Sequence, residues 1–310
     1  MPVEISDWND LDNVRNDLTG DYVLVNDLDS ETDGYAGIGD DFEPIGFVSG
    51  TRNGDPFSGV LDGAEFQISD LVIEENDSER GGVAFITQVG NGGLVENLSV
   101  DGTVNSTIED FFYGGLAASV GRDGTGTIEN CVSHVDVTAP DGGQAAGLVG
   151  RNQENDDTIQ TLYATGSVEG DSGVGGLVGA NDDTIQTSYA TGSVEGEDQV
   201  GGLVGENSGP VEDSYATGSV EGVRDVGGLA GDNEDTVTES YATGSVLGEN
   251  FVGGLVGDND GTVTDSYATG SVESIDRVGG LVGASSETNK RSYATGSVEG
   301  DSGVGGLVGS

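Results

Sequence analysis

One hexapeptide, Tyr-Ala-Thr-Gly-Ser-Val, begins at Tyr163, Tyr189, Tyr215, Tyr241, Tyr267 and Tyr293, always 26 residues further on. A second phrase keeps the same beat. Gly-Gly-Leu-Val-Gly has its leucine at Leu177, Leu203, Leu255, Leu281 and Leu307, and reads Gly-Gly-Leu-Ala-Gly at Leu229. A fixed period of this size restricts the chain to stacked units, because no such unit can bury its apolar side alone. Each unit holds two short β-type runs and no helical pattern. The expected fold is all-β, a parallel β-helix or β-solenoid with one rung per 26-residue unit.

The early rungs orient the later ones. In Leu98, Val100, Gly102 and Val104 alternate residues are apolar or small, which marks an inward face. The matching inward set in a later rung is Ser188, Ala190, Gly192 and Val194, leaving Tyr189, Thr191, Ser193 and Glu195 outside. Leu203 and its equivalents should fill the interior, and the paired glycines before them allow a bend. Rungs stack about 4.8 Å apart, so nine or so make a rod on the order of 45 Å long. Identical residues then form ladders. The outward columns are tyrosine, threonine, serine and glutamate, the last running Glu169, Glu195, Glu221, Glu273 and Glu299 with Leu247 interrupting it.

Residues 1–35 read as an N-terminal cap of one short helix and a strand. Trp8, Leu11, Val14 and Leu18 make an apolar stripe at helical spacing. Ser6 or Asp7 can cap its start, and Gly20 can end it. Tyr22 to Val25 reads as a strand, and Asp27 to Pro56 as loops over the first rungs. Residues 36–147 are irregular rungs with insertions, and residues 148–310 are regular rungs of the same continuous solenoid. Ile68-Ser-Asp-Leu-Val-Ile73 resembles Val95-Glu-Asn-Leu-Ser-Val100 and Ile128-Glu-Asn-Cys-Val-Ser133. This aligns Leu71, Leu98, Cys131, Leu162 and Ser188, at steps of 27, 33, 31 and 26 residues. The extra residues fall in polar stretches such as Asn105 to Asp110 and Arg151 to Asp157.

Charge narrows the functional classes. Acidic side chains number 57 against 9 basic ones, for a net charge of −48, and Lys290 is the one lysine. Nucleic acid, which needs a basic patch, is a poor partner. Regular apolar positions argue against disorder despite the charge. Such a surface suits molar salt, where the Debye length falls to about 3 Å. One cysteine, Cys131, excludes an internal disulfide framework and reads as a small core residue. No run is apolar enough to span a membrane. No targeting signal is visible in this segment, and the chain stopping in mid-rung suggests a piece of a longer extracellular or cell-surface protein.

In its paired signature, Gly-Gly-Leu-Val-Gly followed by a polar turn and Ser-Tyr-Ala-Thr-Gly-Ser-Val, the sequence resembles GLUG-motif repeat proteins. The likeness is close over residues 148 to 310. It extends loosely upstream through Phe57-Ser-Gly-Val-Leu-Asp-Gly63. The resemblance implies right-handed winding and a place among large surface and secreted proteins, including adhesins and metallopeptidases. The peptidases' His-Glu-x-x-His zinc motif is absent here, so that activity does not carry over. The acidity and scarce lysine look haloarchaeal.

His134, the sole histidine, can build neither a zinc site with Cys131 alone nor a catalytic triad, and reads as a solvent-facing strand residue. Fold-level analogy admits a polysaccharide lyase or hydrolase with a site in residues 36 to 125. Its candidates are the unrepeated Asp40, Asp41, Glu43, Arg52, Asp110, Arg122 and Asp123. The oxygen-rich turns Asp232-Asn-Glu-Asp235 and Asp258-Asn-Asp-Gly261 could take calcium or bulk monovalent cations, although tight turns favour the same residues. No cofactor, catalytic residue or metal site is otherwise expected. The outward ladder of Tyr163, Tyr189, Tyr215, Tyr241, Tyr267 and Tyr293, with Thr191 and Thr217, is the candidate ligand-binding face. Its alternative reading is aromatic stacking that only stabilises the rod. The leading expectation is a non-enzymatic adhesion or spacer module in high salt. Its partner would be a surface glycan, a protein, or another copy in an end-to-end filament or sheath.

Overall fold

The computed structural model describes residues 1–46, 55–75, 82–108, 111–122, 124–139, 142–153 and 158–309. The fold is a parallel β-solenoid. Among the described residues the strands form three sheets of 10, 21 and 8 strands. Every pairing joins one rung to the next in parallel, as between Tyr189-Ala190 and Tyr215-Ala216. A regular rung starts with Thr184–Gln186 in the first sheet. The second sheet takes Tyr189–Ala190, Val194–Glu195 and Asp198–Gly201, and the third takes Val204–Asn207.

Alternation decides what faces the interior. Ser188, Ala190 and Val194 are buried, whereas Thr191, Ser193 and Glu195 are exposed and Tyr189 is half-buried. The leucine column is fully buried from Leu177 to Leu281. Each paired glycine has its own steric reason. A Cβ on Gly201 would lie 1.9 Å from the Val204 carbonyl oxygen, where the chain folds back. A Cβ on Gly202 would lie 2.2 Å from the Gly228 carbonyl oxygen one rung away. The bend read from these glycines is thus a close approach of backbones both along and between rungs.

Two polar ladders run inside this core. Asn152, Asn181, Asn207, Asn233 and Asn259 are buried. Each of the first four amide nitrogens donates to the next asparagine oxygen, at 2.8, 2.9, 2.7 and 2.7 Å in turn, and Asn259 donates to the Ser285 hydroxyl. From Asn181 onward the same nitrogens also donate to the carbonyl two residues ahead, those of Asp183, Gly209, Asp235 and Gly261. The other ladder is serine. Ser188, Ser214, Ser240 and Ser266 each accept from the backbone N–H one rung before and donate to the carbonyl two residues back. Each serine follows a left-handed corner residue, Thr187 (φ 51), Asp213 (φ 49), Glu239 (φ 50) or Asp265 (φ 51). The corner leaves backbone groups that strands cannot satisfy, and the ladders satisfy them.

The N-terminal segment departs from its sequence reading. Strand β1, Val3–Ile5, precedes the helix and already pairs with β2, Asp21–Leu24, so the first sheet begins before the helix. Helix α1 covers only Trp8–Asn13, with a 3-10 turn at Val14–Asn16. Asp7 caps it by accepting from the Asp10 N–H. It does not reach Gly20, because the backbone leaves the helical region at Asp17 (φ −148), and the Leu18 carbonyl then accepts from the Ser58 and Gly59 N–H groups. Trp8, Leu11 and Val14 are buried, and Trp8 meets Tyr35 and Phe42 edge-on at 5.6 and 6.2 Å. Residues 27–46 are more than covering loops. Leu28 bridges Ile68, Ile45 bridges Ile86, and both are buried, so this stretch supplies an irregular rung itself.

The early alignment also needs correction. Leu71 lies opposite Gly102, not Leu98, and Val95 lies opposite Leu61, not Ile68. A bulge between Ile68 and Leu71 in strand β4, Gln67–Glu75, shifts the register, with Asp70 at φ 60. The column that stacks is Leu61, Val95, Ile128, Ile159 and Ile185. Its steps are 34 (61 to 95), 33 (95 to 128), 31 (128 to 159) and 26 (159 to 185). Asn105–Ser106 and Arg151–Asn152, read as insertion residues, are strand ends. The rest of both insertions lies partly outside the described residues.

Candidate binding face and its electrostatics

The tyrosine ladder forms with near-perfect register. Ring centroids from Tyr163 to Tyr293 are 4.0, 4.8, 4.8, 4.9 and 5.2 Å apart, each pair stacked. Tilts are 10° or less except between Tyr163 and Tyr189, at 30°. The backbone imposes this, because strands pair tyrosine to tyrosine at the rung spacing. Ring faces inside the column are therefore covered by neighbouring rings. What the column offers to solvent is ring edges and hydroxyls. Burial, with neighbouring tyrosines second, pushes the Tyr215 hydroxyl above the ordinary phenol range. Thr191 and Thr217 stand exposed beside it.

The glutamate column also forms, pairing Glu169, Glu195 and Glu221, then Leu247, Glu273 and Glu299, all exposed. Two carboxylates at one-rung spacing repel by roughly 0.9 kcal/mol even at the dielectric of water. Apolar residues interrupt the outer columns here. Val223, Leu247 and Ile275 are exposed at 40, 42 and 54% on three successive rungs, and Leu247 separates Glu221 from Glu273.

A second acidic feature brings together Asp232 and Asp258, which the sequence places in separate oxygen-rich turns, with Glu206. Glu206, Asp232 and Asp258 stack in the third sheet. They face the Asp198–Gly201 type strands, where Gln144 donates to Glu206 at 3.2 Å and Gln199 to Asp232 at 3.3 Å. The next residue in that facing column is Asp225, which feels the charge of Asp258. Burial, then Asp258, pushes the Asp225 carboxyl up to about 6, despite the opposing Arg224. Burial raises Glu206, Asp232 and Asp258 as well. The signal lay in Val-Gly-Glu-Asn and Val-Gly-Asp-Asn, but the facing strand is set by the fold-back.

The remaining candidates scatter. Asp40 and Asp41 lie in a 3-10 turn, Gly39–Asp41, before Phe42, whose N–H bonds the Val72 carbonyl. Glu43 follows, its carbonyl contacted by Arg15. Arg122 sits elsewhere, exposed just after the third-sheet strand Ala117–Val120. Arg52, Asp110 and Asp123 lie outside the described residues. In the two oxygen-rich turns Asn233 and Asn259 point into the core ladder, while Asp232 and Asp258 stack in the half-buried third-sheet column. His134 is exposed, 2.5 Å from the Thr165 hydroxyl. Cys131 is buried in the core, which pushes its thiol up to about 12.

The GLUG motif profile matches residues 196–221 and 250–273, which fall on the Gly-Gly-Leu rungs. The chain carries GLUG repeats. It is also similar to Halomucin of Haloquadratum walsbyi, at 31% identity over 158 residues. That stretch is 51% of this chain and about 1% of the relative's length. Among the described residues no helix is long and apolar enough to cross a membrane.

Proposed function

We propose that this GLUG-repeat chain is a non-enzymatic module of a cell-surface or secreted protein, an adhesive and spacing rod for high salt. The observation that carries the reading is the outward face. One tyrosine, threonine and serine pattern is presented rung after rung at constant spacing. A repeated weak site gains avidity without any single strong one. The rod's length supports the spacing role, since ten first-sheet strands span about 43 Å at 4.8 Å per step. The partner is a surface glycan, met by hydroxyls and ring edges. The acidic surface supports a saline setting. No cofactor is part of this reading, and cations act as diffuse counterions to the carboxylate columns.

The test is incubation with neutral and acidic polysaccharides in molar KCl, following retention and new reducing or unsaturated ends together. Retention without new ends is expected. New ends would replace this reading with an enzyme, and no retention on any polysaccharide would remove the glycan.

A further inference from the structure

The tyrosine column stops at Tyr163, and it stops against a slot. One rung before, the position opposite Tyr163 is Val132, and the rung before that carries Ser99. Two rungs of small side chains thus continue a column of rings. The space they leave is an open cavity of about 470 Å³, lined among others by Tyr163, Val132, Ser99, Asn97, Asn130 and Glu65. Among the described residues the Tyr163 ring stacks on Tyr189 alone, at an interplanar angle of 30°. At this end of the column earlier rungs precede Tyr163, so its outer ring face looks onto a floor that belongs to the solenoid.

The wall is built from corner residues. Glu65, Asn97 and Asn130 hold left-handed backbone at φ 66, 53 and 52. Asn97 is steadied by donating to the Asp62 carboxylate at 3.1 Å. An aromatic face ringed by amides, a carboxylate and a hydroxyl matches one chemistry well. The C–H face of a sugar ring packs on the aromatic face while its hydroxyl rim meets the polar groups. Glu65 and the net charge of −48 select against an anionic sugar.

We propose that this slot binds one neutral pyranose of a glycan, stacked on Tyr163 as the next ring of the ladder. The inference rests on the glycan reading above and narrows it. The repeated column supplies edges and hydroxyls, whereas this single slot supplies a ring face.

The test uses the full chain in molar KCl. Methyl glucoside, methyl galactoside and methyl mannoside are probed one at a time by saturation-transfer NMR, with glucuronic acid as the anionic comparison. At least one neutral glycoside should show transfer to its ring C–H protons and glucuronic acid none. Tyr163→Ala should weaken binding on the order of tenfold. Val132→Tyr, which carries the ladder into the slot, should abolish it. Val223→Ala, exposed on a rung far from the slot, should leave it unchanged. Thermal melting by circular dichroism checks each fold, and Ser99→Phe serves as the second blocking variant if Val132→Tyr does not fold. No transfer from any neutral glycoside, equal transfer from glucuronic acid, or wild-type binding by a folded blocking variant would each overturn the proposal. If the blocked variant keeps polysaccharide retention and only the slot fails, the adhesive face stands. Loss of both in the wild type sinks both readings.

Discussion

The buried asparagine ladder makes a demanding prediction at Asn233. Its amide nitrogen donates to Asn259 at 2.7 Å and to the Asp235 carbonyl at 2.7 Å, and its oxygen accepts from Asn207 at 2.7 Å. The side chain is fully buried. Asn233→Ala leaves one Asn207 hydrogen and the Asn259 oxygen without partners in a dry interior. It also strips one donor from the Asp235 carbonyl, which keeps the Thr262 N–H. A buried polar group left without a partner costs about 1–3 kcal/mol, so the variant should lose about 3–6 kcal/mol, cavity included. Asn152 is the internal control. It starts the ladder, with Val120 before it in register and its own oxygen unpartnered, so among the described residues Asn152→Ala orphans the Asn181 oxygen alone. That should cost about 1–3 kcal/mol. Urea unfolding at constant molar KCl measures both. Because rungs can open locally, amide hydrogen exchange across residues 207–259 should show the loss centred on the altered rung. A cost for Asn233→Ala no larger than for Asn152→Ala would refute the claim that the ladder acts through satisfaction of its members.

Two further outcomes follow from the charges. Asp225 titrates near 6 in the fold, above the ordinary aspartate range, so the folded chain holds that proton more tightly than the unfolded one. Its contribution is then fully present below the unfolded pKa near 4 and is lost as pH rises through about 6. Thermal melting at fixed molar KCl should therefore fall between pH 4 and 6 more steeply in the wild type than in Asp225→Asn, and equal slopes would contradict the assignment. Leu247→Glu would complete the carboxylate column between Glu221 and Glu273. Its two new one-rung repulsions should cost about 2 kcal/mol in dilute buffer and close to nothing in molar KCl, so a salt-independent loss would point to packing instead.

The period, the parallel stacking and the inward and outward residues were legible in the sequence, because identical 26-residue units admit one register. Tyr189 over Tyr215 and Glu195 over Glu221 follow from the repeat alone. Where the repeat loosens, local likeness misled. Ile68 to Ile73 looks like Val95 to Val100, yet the bulge in β4 and the shared first-sheet column place Leu61 against Val95. The Val3–Ile5 strand was hidden because three residues carry no period of their own.

Contacts between positions far apart in the rung were decided only by the fold. Asn233 reads as a turn residue in the sequence, but the corner turns it inward and makes it part of a ladder. Asp225 and Asp258 lie 33 residues apart (225 to 258), and the fold-back at the glycine pair sets them in one half-buried cluster. The sequence placed the tyrosines in a column. The stacking distance then closed every inner ring face, and the small residues before Tyr163 left one open. A repeat determines its own register because each unit meets its copy. What lies across the rung depends on the angle of each corner, and that angle is a property of packed backbone.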